Sequence, residues 1–353
     1  LRVDMMQGLS AVISDTRPKP LASHEAKLFP ESNGNYSLFS SRNSERQNIA
    51  LDAQGEIQSV VWGSGAASFG ALSVTKFAQD GINERYLAVV PYRSGGGNYY
   101  GMYDALGGSL LSSVEVTPRL DGPILADDLD LDGVLDLSVP NIQGQGCGVW
   151  YRFGSVNPDQ LLFCSGGASP ALPAESRLID LDGNGTLEMV LLHRLMLGGY
   201  SLRVYRHSGG QLQLAVDHVR QQYGSIITPV MGVQDVDADG QLEIVVAEKT
   251  GSSTRLSVIK QTGSARELMV SAGIDVIPDI VAGQGRASLV AAGFSESGLN
   301  TRFLEIGMLN GSIVWQSNFY AGRLAKNGLY QLGEGPQNGS LLTVTDAGII
   351  RYQ

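Results

Sequence analysis

One short β-rich unit recurs along the whole chain, and its period constrains the fold more than any other feature. It reads Tyr36-Ser-Leu-Phe-Ser, Tyr86-Leu-Ala-Val-Val, Asp136-Leu-Ser-Val-Pro, Glu188-Met-Val-Leu-Leu, Glu243-Ile-Val-Val-Ala, Ser288-Leu-Val-Ala-Ala and Ser340-Leu-Leu-Thr-Val. The starts at 36, 86, 136, 188, 243, 288 and 340 lie 45 to 55 residues apart. After most starts a Gly/Ser-rich loop leads to a second apolar run, and a glycine turn leads to a third. With the strand that precedes each start, this makes four strands per unit, seven times over. Repeats of that length with four strands each are the signature of a β-propeller. A helical solenoid would need stripes of period 3.6, and a pair of sandwiches would not keep one period throughout. The sequence therefore predicts an all-β, seven-bladed β-propeller of four-stranded antiparallel blades, a single domain over residues 1–353.

Composition agrees with that reading. Glycine makes up 45 of the 353 residues, charged residues only 17%, and hydrophobic residues 43%. A disordered chain needs the opposite balance. No apolar run reaches the 18 residues of a membrane-spanning helix. The net charge of −10 argues against a nucleic-acid partner, which calls for a basic surface.

The seventh unit ends at Ile349-Ile-Arg-Tyr-Gln353, its third strand. The segment Leu1–Met6 precedes the first unit and is expected to complete the last blade, which would close the ring and cover an exposed edge. The chain opens at Leu1 with no basic-then-apolar leader, so any targeting segment is expected to have been removed or to lie outside this sequence. Cys147 and Cys164 flank two apolar runs joined by a turn containing Asn157-Pro158-Asp159. A cross-strand disulfide fits there and points to an oxidising compartment, secreted, periplasmic or cell-surface. The alternative is two unpaired thiols.

Three consecutive units carry the same acidic turn before the recurring strand. Asp128-Leu-Asp130-Leu-Asp132-Gly133-Val134-Leu-Asp136 is the first. Asp180-Leu-Asp182-Gly-Asn184-Gly185-Thr186-Leu-Glu188 and Asp235-Val-Asp237-Ala-Asp239-Gly240-Gln241-Leu-Glu243 follow. Calcium takes six to eight hard oxygen ligands. Side chains at positions 1, 3 and 5 converge when the chain coils tightly, and glycine at position 6 allows the turn. Position 7 can offer its carbonyl (Val134, Thr186, Gln241), and the carboxylate at position 9 closes the shell. The apolar residues at positions 2 and 8 are expected to point away from the ion. A strand follows directly, which excludes the longer EF-hand with its flanking helices. About three Ca²⁺ sites are expected, and three divalent ions would bring the net charge from −10 to −4. The same turn is degenerate elsewhere: Lys76 stands at the first ligand place of the second unit, where its ammonium is expected to replace the ion. The sixth unit has no carboxylate in the turn, and the seventh keeps only Glu334.

With the strands Leu-Ser-Val, Met-Val-Leu and Ile-Val-Val behind them, these loops resemble the FG-GAP/VCBS repeat family of integrin α-subunit propellers and many bacterial secreted proteins. The resemblance covers about residues 120–250. It implies a seven-bladed propeller, calcium between the first and second strands of a blade, and roles in adhesion or ligand binding. No Phe-Gly…Gly-Ala-Pro signature is present, so the integrin mode of ligand binding does not carry over.

The loops between second and third strands form the candidate recognition face. Tyr92, Arg93 and Tyr99, Asn141 and Gln143, His193 and Arg194, and Lys249 lie in or beside them. Tyr and Arg on a rigid scaffold suit a binding surface, although solvated turns would look the same. No H-E-x-x-H, G-x-S-x-G or P-loop is present, and there are only four histidines. The function expected is a monomeric, non-catalytic binding or adhesion module for an extracellular protein or glycan. The enzyme alternative is a polysaccharide lyase, with His193 as base beside Tyr92 or Tyr200 and Arg93 or Arg194 against the uronate.

Overall fold

The computed structural model describes residues 25–352 except 43–44, 63–72, 78–84, 117–119, 122–123, 143–146, 153–159, 165–170, 196, 222–228, 238, 251–252, 271–278, 282–287, 295–299 and 333–339. Its regular structure is all strand. β1 (Glu25–Pro30), β2 (Tyr36–Arg42), β3 (Glu45–Leu51) and β4 (Ile57–Trp62) pair in order. β5 (Val74–Phe77), β6 (Arg85–Ser94), β7 (Gly97–Asp104) and β8 (Leu110–Glu115) make the next sheet. The third holds β10 (Leu125–Asp127), β11 (Asp136–Ile142), β12 (Cys147–Arg152) and β13 (Gln160–Cys164), with the two-residue β9 (Leu120–Asp121) against β11.

β14 (Ala171–Ile179), β15 (Glu188–Leu195), β16 (Gly199–Ser208) and β17 (Gln211–Gln221) form the fourth sheet. β18 (Val230–Gln234), β19 (Glu243–Thr250), β20 (Ser253–Ile259) and β21 (Ala265–Val270) form the fifth. The sixth has β22 (Asp279–Val281), β23 (Ser288–Phe294), β24 (Asn300–Gly307) and β25 (Ile313–Gln316), with the short β26 (Tyr320–Ala321) on β24. β27 (Leu324–Leu332), β28 (Ser340–Thr345) and β29 (Gly348–Tyr352) complete the chain.

The expected seven blades are corrected to six. β1 runs parallel to β27, with Glu25 opposite Lys326, so the two ends of the chain share one sheet in the order β29-β28-β27-β1-β2-β3-β4. No unit contributes more than four strands to the main path of its sheet, and the last contributes three. The closing strand expected at Leu1–Met6 lies outside the described residues. In the described residues β27 instead meets β1, through the one parallel pair Glu25–Lys326.

The chain divides into two compact units: the described parts of 1–63, 230–260 and 265–353, and those of 64–229 and 261–264. In the first unit, Ala26, Leu38, Ile49, Leu342 and Val344 form one apolar cluster. Val245, Leu256, Leu304 and Ile306 form another. In the second, Val89, Tyr100, Ile124, Ala126, Leu137 and Val139 pack together. Burying each of the Leu, Ile and Val side chains among them contributes about 1.5–3 kcal/mol. Among the described residues no helix is long and apolar enough to cross a membrane.

Candidate metal loops and recognition tips

The three acidic segments span the gap between the first and second strands of the third, fourth and fifth sheets. Their internal hydrogen bonds repeat. The carboxylate at position 1 accepts the amides of positions 5 and 6. Asp128 takes Asp132 N at 3.0 Å and Gly133 N at 2.9 Å. Asp180 takes Asn184 N at 3.1 Å and Gly185 N at 2.8 Å. Asp235 takes Asp239 N at 3.2 Å and Gly240 N at 3.1 Å.

The position-5 side chain accepts from the amide of position 7: Asp132 from Val134 N (2.9 Å), Asn184 from Thr186 N (2.7 Å) and Asp239 from Gln241 N (2.9 Å). Position 9 reaches back to the amide of position 2: Asp136 to Leu129 (3.0 Å), Glu188 to Leu181 (2.7 Å) and Glu243 to Val236 (2.9 Å). Gly133, Gly185 and Gly240 adopt φ of 81°, 87° and 86°, the left-handed turn that position 6 demands.

Burial sorts the side chains as the sequence suggests. Leu129, Leu181, Val236 and Leu135 are buried, and Leu187 and Leu242 half-buried. Leu129 packs on Met189, Leu191, Tyr205 and Leu212. The apolar positions fix each loop while the carboxylates face one another. One oxygen from each of Asp128, Asp130 and Asp136 lies within 4.8 Å of the other two. The same holds for Asp180, Asp182 and Glu188, and for Asp235, Asp237 and Asp239. Asp132 in the first loop and Glu243 in the third stand outside those sets.

This donor set fits a calcium ion, which prefers carboxylate oxygens from a short, tightly coiled segment. Carboxylates held this close are costly without a counter-charge. Burial pushes the pKa of Glu188 and Glu243 up, against the lowering effect of the Leu181 and Val236 amides. The Gln241 amide, then Lys260, hold Asp239 below its usual value.

A basic side chain, unforeseen from the sequence, reaches each loop from the third strand of the same sheet or, for Lys260, from the residue just beyond it. Arg152 lies opposite Asp136 in the β11–β12 ladder. Arg206 and Lys260 come one residue beyond Tyr205 and Ile259, which pair with Met189 and Ile244. All three therefore occupy one place relative to the position-9 acid. In sequence they follow that acid by 16, 18 and 17 residues, a recurrence that could have revealed them. In the second unit Gln261 also donates to the Leu181 carbonyl at 2.5 Å.

The recognition candidates are distributed over four sheets. Tyr92 and Tyr99 pair across β6 and β7, and their rings stack at 5.3 Å and 21°. Arg93 donates to Asn98 Oδ1 at 3.3 Å at the tip of that hairpin. Glycines at 97 and 101 make room for this aromatic face: a Cβ at Gly101 would lie 2.8 Å from Tyr103 and 3.0 Å from Tyr92. Asn141 lies in β11 opposite Asp121, and Gln143 lies outside the described residues. His193 and Arg194 belong to β15 rather than to a loop, and His193 is 2% exposed. Lys249 pairs with Thr254 in the first unit. Cys147 faces Cys164 in the β12–β13 register. Lys76 lies in β5 opposite Tyr86, and the degenerate turn that follows it is outside the described residues.

No family model matches the sequence. No curated protein matches it either. Solved structures do. The β-propeller domain of Cps50 (Swd1) from Myceliophteria thermophila aligns over 98% of this chain and 99% of its own, with 10% identity and a TM-score of 0.53. The WD40 β-propeller domain of Doa1 (12% identity, TM-score 0.49) covers 95% of this chain and 93% of its own. The Dos1 propeller (11%, 0.46) covers the same shares. The chain has a β-propeller fold.

Proposed function

We propose that this β-propeller is a calcium-stabilised, secreted or surface-exposed module that binds an extracellular protein or glycan without catalysis. The observation that carries the calcium reading is the threefold repetition of one loop geometry, in which three carboxylates converge within 4.8 Å each time. In each loop the ligands would be the side chains at positions 1, 3, 5 and 9 and the carbonyl of position 7. Bound there, calcium supplies the positive charge that lets these carboxylates stay ionised side by side. The chain's own part is to hold the loop: the position-1 carboxylate closes the turn, and the position-2 apolar side chain fixes it to the sheet. The resemblance to FG-GAP/VCBS loops supports the same assignment.

Recognition is assigned to the hairpin tips, above all the stacked Tyr92 and Tyr99 with Arg93 and Asn98. A flat aromatic face edged by hydrogen-bonding groups suits a sugar ring or a peptide. A disulfide between Cys147 and Cys164, supported by their facing register, belongs to the same extracellular reading. A lyase would have to use His193 as its base, and His193 and Tyr200 are both buried, which favours the non-catalytic reading.

A binding screen against a polysaccharide panel with calcium present, repeated with Tyr99→Ala, tests recognition. A glycan bound by the native protein and lost in the variant supports it. Glycan binding that Tyr99→Ala leaves unchanged overturns the assignment to this tip. Calcium is tested by melting with and without chelator, where an unchanged melting temperature refutes it.

A further inference from the structure

The three basic residues that reach the acidic loops do not engage them alike. Arg152 Nη2 lies 3.2 Å from Asp130 and 2.9 Å from Asp132. Lys260 Nζ lies 2.6 Å from Asp237, 3.0 Å from Asp239 and 3.8 Å from Glu243. Arg206 stays farther off, at 3.4 Å from Glu188 and 3.8 Å from Asp182. Its guanidinium instead donates to Gln261 Oε1 at 2.6 Å.

We propose that Arg152 and Lys260 are tethered counter-cations that occupy the carboxylates of their loops and must be displaced by calcium, whereas Arg206, held by Gln261, is not such a competitor. The proposal rests on the calcium reading above. Its physics is local. A carboxylate oxygen engaged at 2.6–3.2 Å by a cation cannot also present that lone pair to a calcium ion at about 2.3–2.6 Å. The first and third loops hold four carboxylates each (Asp128, Asp130, Asp132, Asp136; Asp235, Asp237, Asp239, Glu243). One monovalent side chain therefore leaves a loop charge of −4 + 1 = −3. A divalent ion neutralises more of that charge, so displacement is favourable when calcium is abundant. The cation has somewhere to go: Arg152 and Lys260 are 49% and 40% exposed, so either swings into water at little cost. When calcium is scarce the side chain returns, and the loop keeps its shape.

The test is a thermodynamic cycle on the whole protein, using calcium chloride as the probe. Melting temperature is read in chelator and at saturating calcium, and affinity by calorimetry, for native protein, Arg152→Met/Lys260→Met and Arg206→Met. The double variant should melt lower than native in chelator and match it in calcium. Its affinity at two of the three sites should rise about five-fold, the size of a partly exposed ion pair of about 1 kcal/mol. Arg206→Met should change melting equally in both conditions. Arg152→Lys should restore the native behaviour of the first loop. If the double variant loses the same stability with and without calcium and binds calcium unchanged, the competition does not exist. If the native protein itself takes up no calcium, the underlying calcium reading fails first, and the two failures are told apart by that control.

Discussion

The Leu181 amide donates to Glu188 Oε2 at 2.7 Å across seven residues, and the equivalent bonds join Leu129 to Asp136 and Val236 to Glu243. One contact thus ties the start of each acidic loop to the strand that follows it. The acid is buried in all three cases, so its ionisation state matters to folding.

Glu188 and Glu243 have folded pKa values above the ordinary 4.5, chiefly because of burial. A carboxyl raised in this way favours the folded state when protonated. Its contribution is intact below about pH 4.5 and is lost as pH rises through the folded value. In chelator, Glu188→Gln is expected to flatten part of the fall in melting temperature as pH rises above about 4.5. A pH profile parallel to that of the native protein would refute this. Calcium, which needs the ionised form, should bind more weakly as pH falls over the same range.

Leu131 is the one non-glycine residue with positive φ among those described, at 58°. It stands at position 4 of the first loop, where the second loop has Gly183 at φ 72°. Its side chain is 60% exposed, so little packing opposes replacement. Leu131→Gly should stabilise the protein by about 1 kcal/mol in chemical denaturation. Gly183→Ala, with no atom near its Cβ position, should destabilise by about the same amount. Equal stability of all three proteins would show that the turn relaxes at no cost.

Leu129 is fully buried beneath the first loop, against Met189, Leu191, Tyr205 and Leu212. Leu129→Ala should cost about 2–5 kcal/mol and weaken calcium binding at that loop, since the loop loses its hold on the sheet. Truncating the exposed Leu309 should cost under about 0.5 kcal/mol by the same measurement.

Cys147 and Cys164 enclose an 18-residue segment, counted inclusively as 164 − 147 + 1. A disulfide there should add about 3 kcal/mol. The unfolded, unreduced protein is expected to show no thiol by Ellman titration, and two after reduction. Two thiols before reduction would remove the oxidising-compartment argument.

The acidic loops were legible in the sequence because their determinants are local: carboxylates at fixed positions, glycine at the turn, and an apolar residue between. The strand starts at 86, 136, 188, 243, 288 and 340 lie in or at the start of β6, β11, β15, β19, β23 and β28 for the same reason. What escaped depends on pairing between distant segments. Arg152, Arg206 and Lys260 reach the loops only because a hairpin register brings them there. His193 looked like a loop residue because Gly198 and Gly199 follow it, yet β15 continues through it to Leu195. The count of seven blades failed where β1 meets β27, since no local pattern marks a parallel pair between the two ends of a chain.

That pair also orders events in time. Glu25 and Lys326 are 301 residues apart, 326 − 25, and no sheet can join them before the second has been synthesised. On the ribosome, at about 5–20 residues per second, β1 to β4 wait at least some fifteen seconds for their neighbour. During that interval one side of β1 offers unpaired amides and carbonyls to whatever passes. Contacts of such long range fold slowly even in a finished chain. The same ladder that unites the two ends makes the youngest molecules the ones most exposed to mispairing.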